Sequence, residues 1–243
     1  GPGAVLIGLL VLPAVASAQA PPYDSAIDVQ NFNYSIGPKQ FFTVDSADIA
    51  DKKQLARDAV ITFMKDPFVV YNTDGAKDPA IMGTRDTVIA SMTAAQITCA
   101  YGVTDKLQIG VNLPLVFSES GDGLDPSTGK GVMGGMQVTG LGDLLVEGKY
   151  KLHDKDGLRL AGIAGVTLPS SFGSDGSKFL GDDLPTGRLR FAATYTAGRI
   201  SLGAAAGILL RKPRTIYASA IGQQWTFGAG AAVSITDKFS LIE

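Results

Sequence analysis

The stretch Gly123-Leu-Asp-Pro-Ser-Thr-Gly-Lys-Gly131 has the ingredients of a phosphate-cradling loop, glycines around a lysine. Its spacing fails that chemistry. Five residues separate Gly123 from Gly129, no serine or threonine follows Lys130 to reach a magnesium ion, and no helix is expected after it. Asp122 with Asp125, and Asp182 with Asp183, offer oxygen ligands of the kind calcium takes. Two loop pairs of this sort are ordinarily solvated charge, so no metal is expected. The single cysteine, Cys99, cannot close an internal disulfide, and the single histidine, His153, cannot supply a zinc cluster. No nucleophile and base stand in a recognisable pattern, and no cleft is marked for paired carboxylates. The chain is expected to be no enzyme and to need no cofactor.

One charged set does recur with regular spacing. Asp143, Glu147, Lys149 and Arg159, then Arg188 and Arg190, fall on the polar side of alternating segments whose other side is apolar. Such a set lines a lumen if that side is inside, where opposite charges pair across strands and tune or plug a narrow pore.

The segments that must position them are hairpins. Ile97, Cys99, Tyr101 and Val103 point one way and Thr98, Ala100 and Gly102 the other, and the pattern resumes after residues 104–106 with Leu107, Ile109 and Val111. A second hairpin joins Leu144, Val146, Tyr150 and Leu152 to Leu158, Leu160, Ala164, Val166 and Leu168 across a turn at residues 153–157. A third joins Leu189, Phe191 and Tyr195 to Ile200, Leu202, Ala204, Ala206, Ile208 and Leu210. A fourth runs from Trp225 to Ile235 and restarts at Phe239. Tight turns near residues 105, 155, 198 and 237 alternate with long connections at 118–139, 169–187 and 211–222.

Membrane barrels keep this asymmetry, with short turns at one end and long loops at the other. Residues 40–45 and 59–71 are read as further strands, 46–58 as polar with room for a short helix, and Asp66-Pro67 as a bend or rim. The fold expected is all-β, an antiparallel up-and-down transmembrane barrel with about ten strands visible and about twelve when complete. Tyr101, Tyr150, Tyr195, Trp225 and Phe239 lie near strand ends, where an aromatic girdle meets the membrane interface.

Residues 4–18 form a short apolar core ending in small residues at Ala16 and Ala18, the pattern of a signal peptide. The organisation expected is a signal peptide at 1–18, a polar linker at 19–35 and a barrel domain at 36–243 that continues beyond this sequence. Beyond residue 20 no apolar run reaches the ~18 residues of a membrane helix, so any crossing must use strands. With a net charge of -2 and no basic stripe, nucleic acid is not an expected partner. Alternation does not say which face is inside. A soluble exported barrel that binds a small hydrophobic ligand in an apolar interior stays open as the alternative.

The segment Tyr101-Gly-Val-Thr-Asp-Lys-Leu-Gln-Ile-Gly-Val-Asn-Leu-Pro114, with Gly140-Leu-Gly-Asp-Leu-Leu-Val-Glu-Gly-Lys-Tyr-Lys-Leu152 and Gly165-Val-Thr-Leu-Pro169, resembles barrels named for a MetA pathway of phenol degradation. Residues 63–71, Phe-Met-Lys-Asp-Pro-Phe-Val-Val-Tyr, look like the opening strands of such barrels at the front of proteins similar to outer membrane protein A in deltaproteobacteria. The resemblance implies a bacterial outer-membrane location, outer-membrane lipid as partner, and porin-like passage of small, hydrophobic or aromatic solutes, or else envelope anchoring. Peptidoglycan is implied only through a domain absent from this chain.

Overall fold

The computed structural model describes residues 27–30, 34–71, 85–124, 134–173, 179–216, 219–236 and 239–242. Residues 4–18, read as a signal peptide, lie outside them, as do Asp125 and Lys130. The strands are β1 (Leu55–Tyr71), β2 (Arg85–Gly102), β3 (Leu107–Gly121), β4 (Met136–Leu141), β5 (Leu144–Lys155), β6 (Leu158–Leu168), β7 (Phe172–Gly173), β8 (Thr186–Ala197), β9 (Ile200–Leu210), β10 (Arg214–Ile216), β11 (Ser219–Ile221), β12 (Gln224–Thr236) and β13 (Phe239–Ile242). No helix occurs among the described residues.

All pairings between strands are antiparallel, and the main sheet runs β1-β2-β3-β5-β6-β8-β9-β12-β13 in chain order. β4 pairs with β3 and β7, so β4 with β5, and β6 with β7, each act as one long bent arm. The sheet curls into a half-barrel with β1 and β13 at its two edges. Its nine arms alternate short turns with long connections, so the long connections gather at one end.

The four hairpins read from alternation form where the alternation places them. Residues 40–45 differ: they are a series of bends, and 46–54 hold no helix. For residues 46–54, and for the chain leading in at Ile36, the reason lies in where the backbone groups bond. The amide of Ala47 donates to Thr194 Oγ1 at 2.9 Å and that of Ala50 to Gln108 Oε1 at 2.8 Å. The Ile36 carbonyl accepts from Gln108 Nε2 at 3.1 Å. Side chains of the sheet thus satisfy this backbone in place of a neighbouring strand or a helical turn.

Residues 34–50 lie against the polar face of the sheet and are themselves largely buried. Phe41 is 1 % exposed and packs with Val44 against Ala232 and Ala205, while Ile36 packs against Ala100 and Leu145. Gly203 makes the seat for Phe41, since a Cβ there would stand 2.2 Å from the ring. Replacing Gly203 with valine is therefore expected to unseat Phe41, and to speed limited proteolysis within residues 34–50 several-fold while the hairpins stay intact. Unchanged cleavage kinetics would show that Phe41 does not hold the segment. Gly102 permits a second close approach, to the Asp51 carbonyl, and Lys53 and Gln54 bond its backbone at 2.7 and 3.0 Å. That contact delivers the chain from the interior to the start of β1.

Near the long-connection end the concave side is apolar. Val88, Ile89, Met92, Val116 and Val138 close with Ile27, Val29, Phe179 and Leu180 into the largest core cluster. At Asp66-Pro67 the β1–β2 register shifts between Lys65 and Phe68, and Asp66 adopts a φ of 49°. Proline has no ladder donor to give, and the bulge accommodates it.

Candidate functional site

The two faces of the sheet have exchanged the roles they hold in a soluble protein. Phe227 is 78 %, Trp225 71 % and Phe191 66 % exposed, and Ile61, Ile97, Ile109, Leu152 and Leu202 share that outer face. Lys149 is 0 % and Glu147 3 % exposed, and Gln96, Thr98, Gln108 and Thr194 are buried beside them on the inner face. Burying charge while exposing large apolar groups is unfavourable in water and favourable where hydrocarbon surrounds the sheet.

The inner charges bind the interior segment to the sheet. Arg190 reaches Asp45 with one guanidinium nitrogen and Glu147 with another. Asp45 also accepts from Ser35 Oγ at 3.1 Å. Lys149 Nζ donates to the carbonyls of Ser46 and Asp48 at 3.2 and 3.3 Å. Arg159, toward the short-turn end, pairs with Asp48 and donates to Thr196 Oγ1 at 2.6 Å. A network of this kind is stable because each buried charge meets an opposite charge or a dipole.

Asp143, between β4 and β5, accepts from the amides of Ser171 and Asp182 at 2.9 and 2.7 Å and so clamps two long connections together. Burial raises its carboxyl above the usual range, with those amides pulling the other way. Asp182 pairs with Arg211 at 2.7 Å and Asp183 with Arg214, so arginine is the partner of the acidic pair that could have suggested calcium. No group of three or more metal-ligating side chains occurs among the described residues.

Asp28 faces the apolar end of the interior, and burial pushes its carboxyl up to about 6 despite a hydrogen bond from the Gln30 amide. Glu119 lies in the same region at 0 % exposure, with neither carboxyl oxygen hydrogen-bonded among the described residues.

Of the aromatics, Tyr101, Tyr150 and Tyr195 are exposed on the outer face toward the short turns, and Trp225 toward the long connections. Phe239 opens β13. Sequence reading missed Phe117 and Phe172, both exposed toward the long-connection end; Phe117 continues the alternation of β3 one step past the hairpin read there, and Phe172 fell within a span read as loop. It also missed Asp45, Asp48 and Gln108 as interior partners. Cys99 is half-buried on β2, and His153 is exposed on β5 beside the turn.

The model of the family described as Putative MetA-pathway of phenol degradation matches residues 98–242, more than half of the chain. The chain belongs to that family. In this family member the matched region takes in the end of β2, the turn after it and every later strand down to β13. Its fold is similar to the crystal structure of an outer membrane channel from Pseudomonas putida F1, with a TM-score of 0.54 at 15% identity over 85% of this chain and 74% of the other. No curated protein matches the sequence. At that identity the likeness establishes the fold: an all-β, antiparallel sheet curled as in a membrane barrel.

Proposed function

We propose that this family member is a non-enzymatic channel protein of the bacterial outer membrane, which passes small solutes along an interior narrowed by residues 34–50. The observation that carries the reading is the inversion of the two faces, with Phe191, Trp225 and Phe227 turned outward and Glu147, Lys149 and Arg190 turned inward. A water-soluble ligand carrier would show the opposite arrangement, because its apolar side chains would line the cavity. The family's name and the fold of the Pseudomonas putida channel support the same reading. They make small apolar or aromatic compounds the solutes to try first. Residues 4–18 serve as the export signal in this account, and Tyr101, Tyr150, Tyr195, Trp225 and Phe239 as interface anchors.

A second reading, a structural anchor in the manner of outer membrane protein A with peptidoglycan held by a further domain, gains support from one feature. Phe41, Ile36 and the Asp45 to Arg190 pair occupy the interior densely, as suits a barrel whose purpose is mechanical.

Fractionation of expressing cells, with gel migration before and after boiling, tests the shared part of both readings. Outer-membrane recovery with a heat-dependent shift is expected; recovery in the soluble periplasm would sink both. Conductance in planar bilayers then separates channel from anchor.

A further inference from the structure

Glu119 stands apart from the interior network. It is fully buried, and neither carboxyl oxygen has a hydrogen-bond partner among the described residues. The register explains its inward place. β3 shifts register against β2 between Val116 and Ser118, so the alternation changes phase there, and Glu119 comes to lie opposite Met92 of β2 and Val138 of β4. On the other face at this level are Ser91, Ser118 and Ser120, with the Ser91 and Ser120 hydroxyls 2.9 Å apart. The apolar outer residues of β3 end at Phe117, which puts Glu119 beyond them, at the long-connection end.

Met92 and Val138 pack with Ile27 and Val29 in the largest core cluster, to which Phe179 and Leu180 also belong. Ile27 and Val29 flank Asp28, so residues 27–30 bring a second carboxyl toward the first. Asp28 acts on Glu119 with like charge, while β2, β4 and residues 179–180 offer it apolar side chains. Around Asp28 stand Arg188 with opposite charge and Asp143 and Asp182 with like charge. Arg188 is engaged within the protein, Asp143 holds the amides of Ser171 and Asp182, and Asp182 holds Arg211. Gln30 is buried with its side-chain amide unpartnered among the described residues, so apolar contact is what seats residues 27–30.

A neutral carboxyl is tolerated in such surroundings far better than a carboxylate, and two carboxylates there would also repel. Withdrawal of residues 27–30 relieves both costs together, because it admits water to Glu119 and carries Asp28 away. We propose that Glu119 and Asp28 form an acid-held latch: as neutral acids they let residues 27–30 close the long-connection end of the interior, and on losing their protons they release that segment.

The docked state holds protons that the released state gives up. Burial raises Asp28 from the ordinary 3.8 to about 6, so its support for docking is complete below the ordinary value and lost as pH rises through about 6. Glu119 adds to the loss, since its carboxylate has no partner in the docked state. The effect of release on passage rests on the channel reading, but release itself can be measured without it.

The experiment is maleimide labelling of the purified full chain in detergent, with Cys99→Ser removing the native thiol and Val29→Cys as reporter. Rates are divided by those of Asp105→Cys, in the exposed turn, at the same pH, which cancels the intrinsic pH dependence of the reagent. The ratio is expected to rise about tenfold or more between pH ~5.5 and pH ~9. Glu119→Gln keeps the shape and cannot ionise, so its ratio should stay low with little change; Asp28→Asn should show a reduced rise. A flat ratio with Glu119 and Asp28 both in place, or a full rise in folded Glu119→Gln, would overturn the latch, and the first outcome needs no variant at Glu119. In planar bilayers conductance should rise over the same range and stay flat in Glu119→Gln. Labelling that responds while no conductance appears at any pH would keep the latch and overturn the passage; conductance with a flat labelling ratio would do the reverse.

Discussion

Replacement of Arg190 by alanine is expected to cost about 3 to 5 kcal/mol, the usual penalty for removing one member of a buried charge network. Arg190 touches both the interior segment and a strand carboxylate, through Asp45 and Glu147. Removing it leaves two acidic groups side by side, with Glu147 almost wholly shielded from solvent. Their repulsion has one low-cost release, which is movement of residues 43–48 away from the sheet. Lys149, whose contacts to that segment are to the Ser46 and Asp48 carbonyls, cannot neutralise both carboxylates from its present position. The expected readouts are a lower temperature for loss of the heat-resistant gel form and faster proteolysis inside residues 34–50. A triple exchange of Arg190, Asp45 and Glu147 for methionine, leucine and leucine should recover much of the loss, since a neutral apolar interior leaves no orphaned charge. Wild-type behaviour of the single variant would mean that the network contributes nothing to holding the segment.

The second large effect belongs to the outer face. Phe191 lies near the middle of β8, is 66 % exposed, and pairs with Gly162 on one side and Ala206 on the other. Its direct partners are small and the residues flanking them on that face are apolar, Leu160, Leu189 and Ile208 among them, so no neighbouring group offers a partner to a charge placed there. If hydrocarbon covers this face, Phe191→Arg should cost about 2 to 4 kcal/mol, the price of an arginine at the bilayer midplane. Folding yield into lipid vesicles, read by the heat-dependent gel shift, should fall steeply. Asp105→Arg, exposed in the short turn before β3, gives the control and should fold as the wild type does. Water outside the sheet predicts the reverse: the Phe191 variant would be harmless and more soluble. Equal yields for Phe191→Arg and wild type would therefore remove the membrane reading.

The strand pattern was legible because it is local. Side chains alternate along any strand, so Ile97 with Tyr101, Leu158 with Leu160, and Phe227 with Ala229 declared their faces without knowledge of their neighbours. The turn residues at 104–106 and 156–157 declared the hairpins, and the exchange of short with long connections declared the polarity of the whole. The charged set at 143–190 was legible for the same reason, as the other half of the alternation.

What remained closed to sequence reading depends on contacts between distant residues. Which face is concave is settled by how the strands pair and coil across the sheet. Identical alternation serves a carrier with an oily interior and a barrel with an oily exterior. Residues 40–45 carry the composition of a strand, yet the stretch 36–50 around them is held by Thr194, Gln108, Lys149 and Arg190, with Ala47 and Ala50 bonded 147 and 58 positions away. No periodicity encodes a backbone whose amides bond to side chains. Likewise Asp45 and Asp48 look like ordinary loop acids until the sheet curls and brings Arg190 and Arg159 over them. An antiparallel sheet of hairpins with one apolar face is written into the alternation, since that information repeats every second residue; that the charged face is the inside and that residues 34–50 fill it emerges with the folded sheet, since both follow from curvature and long-range pairing.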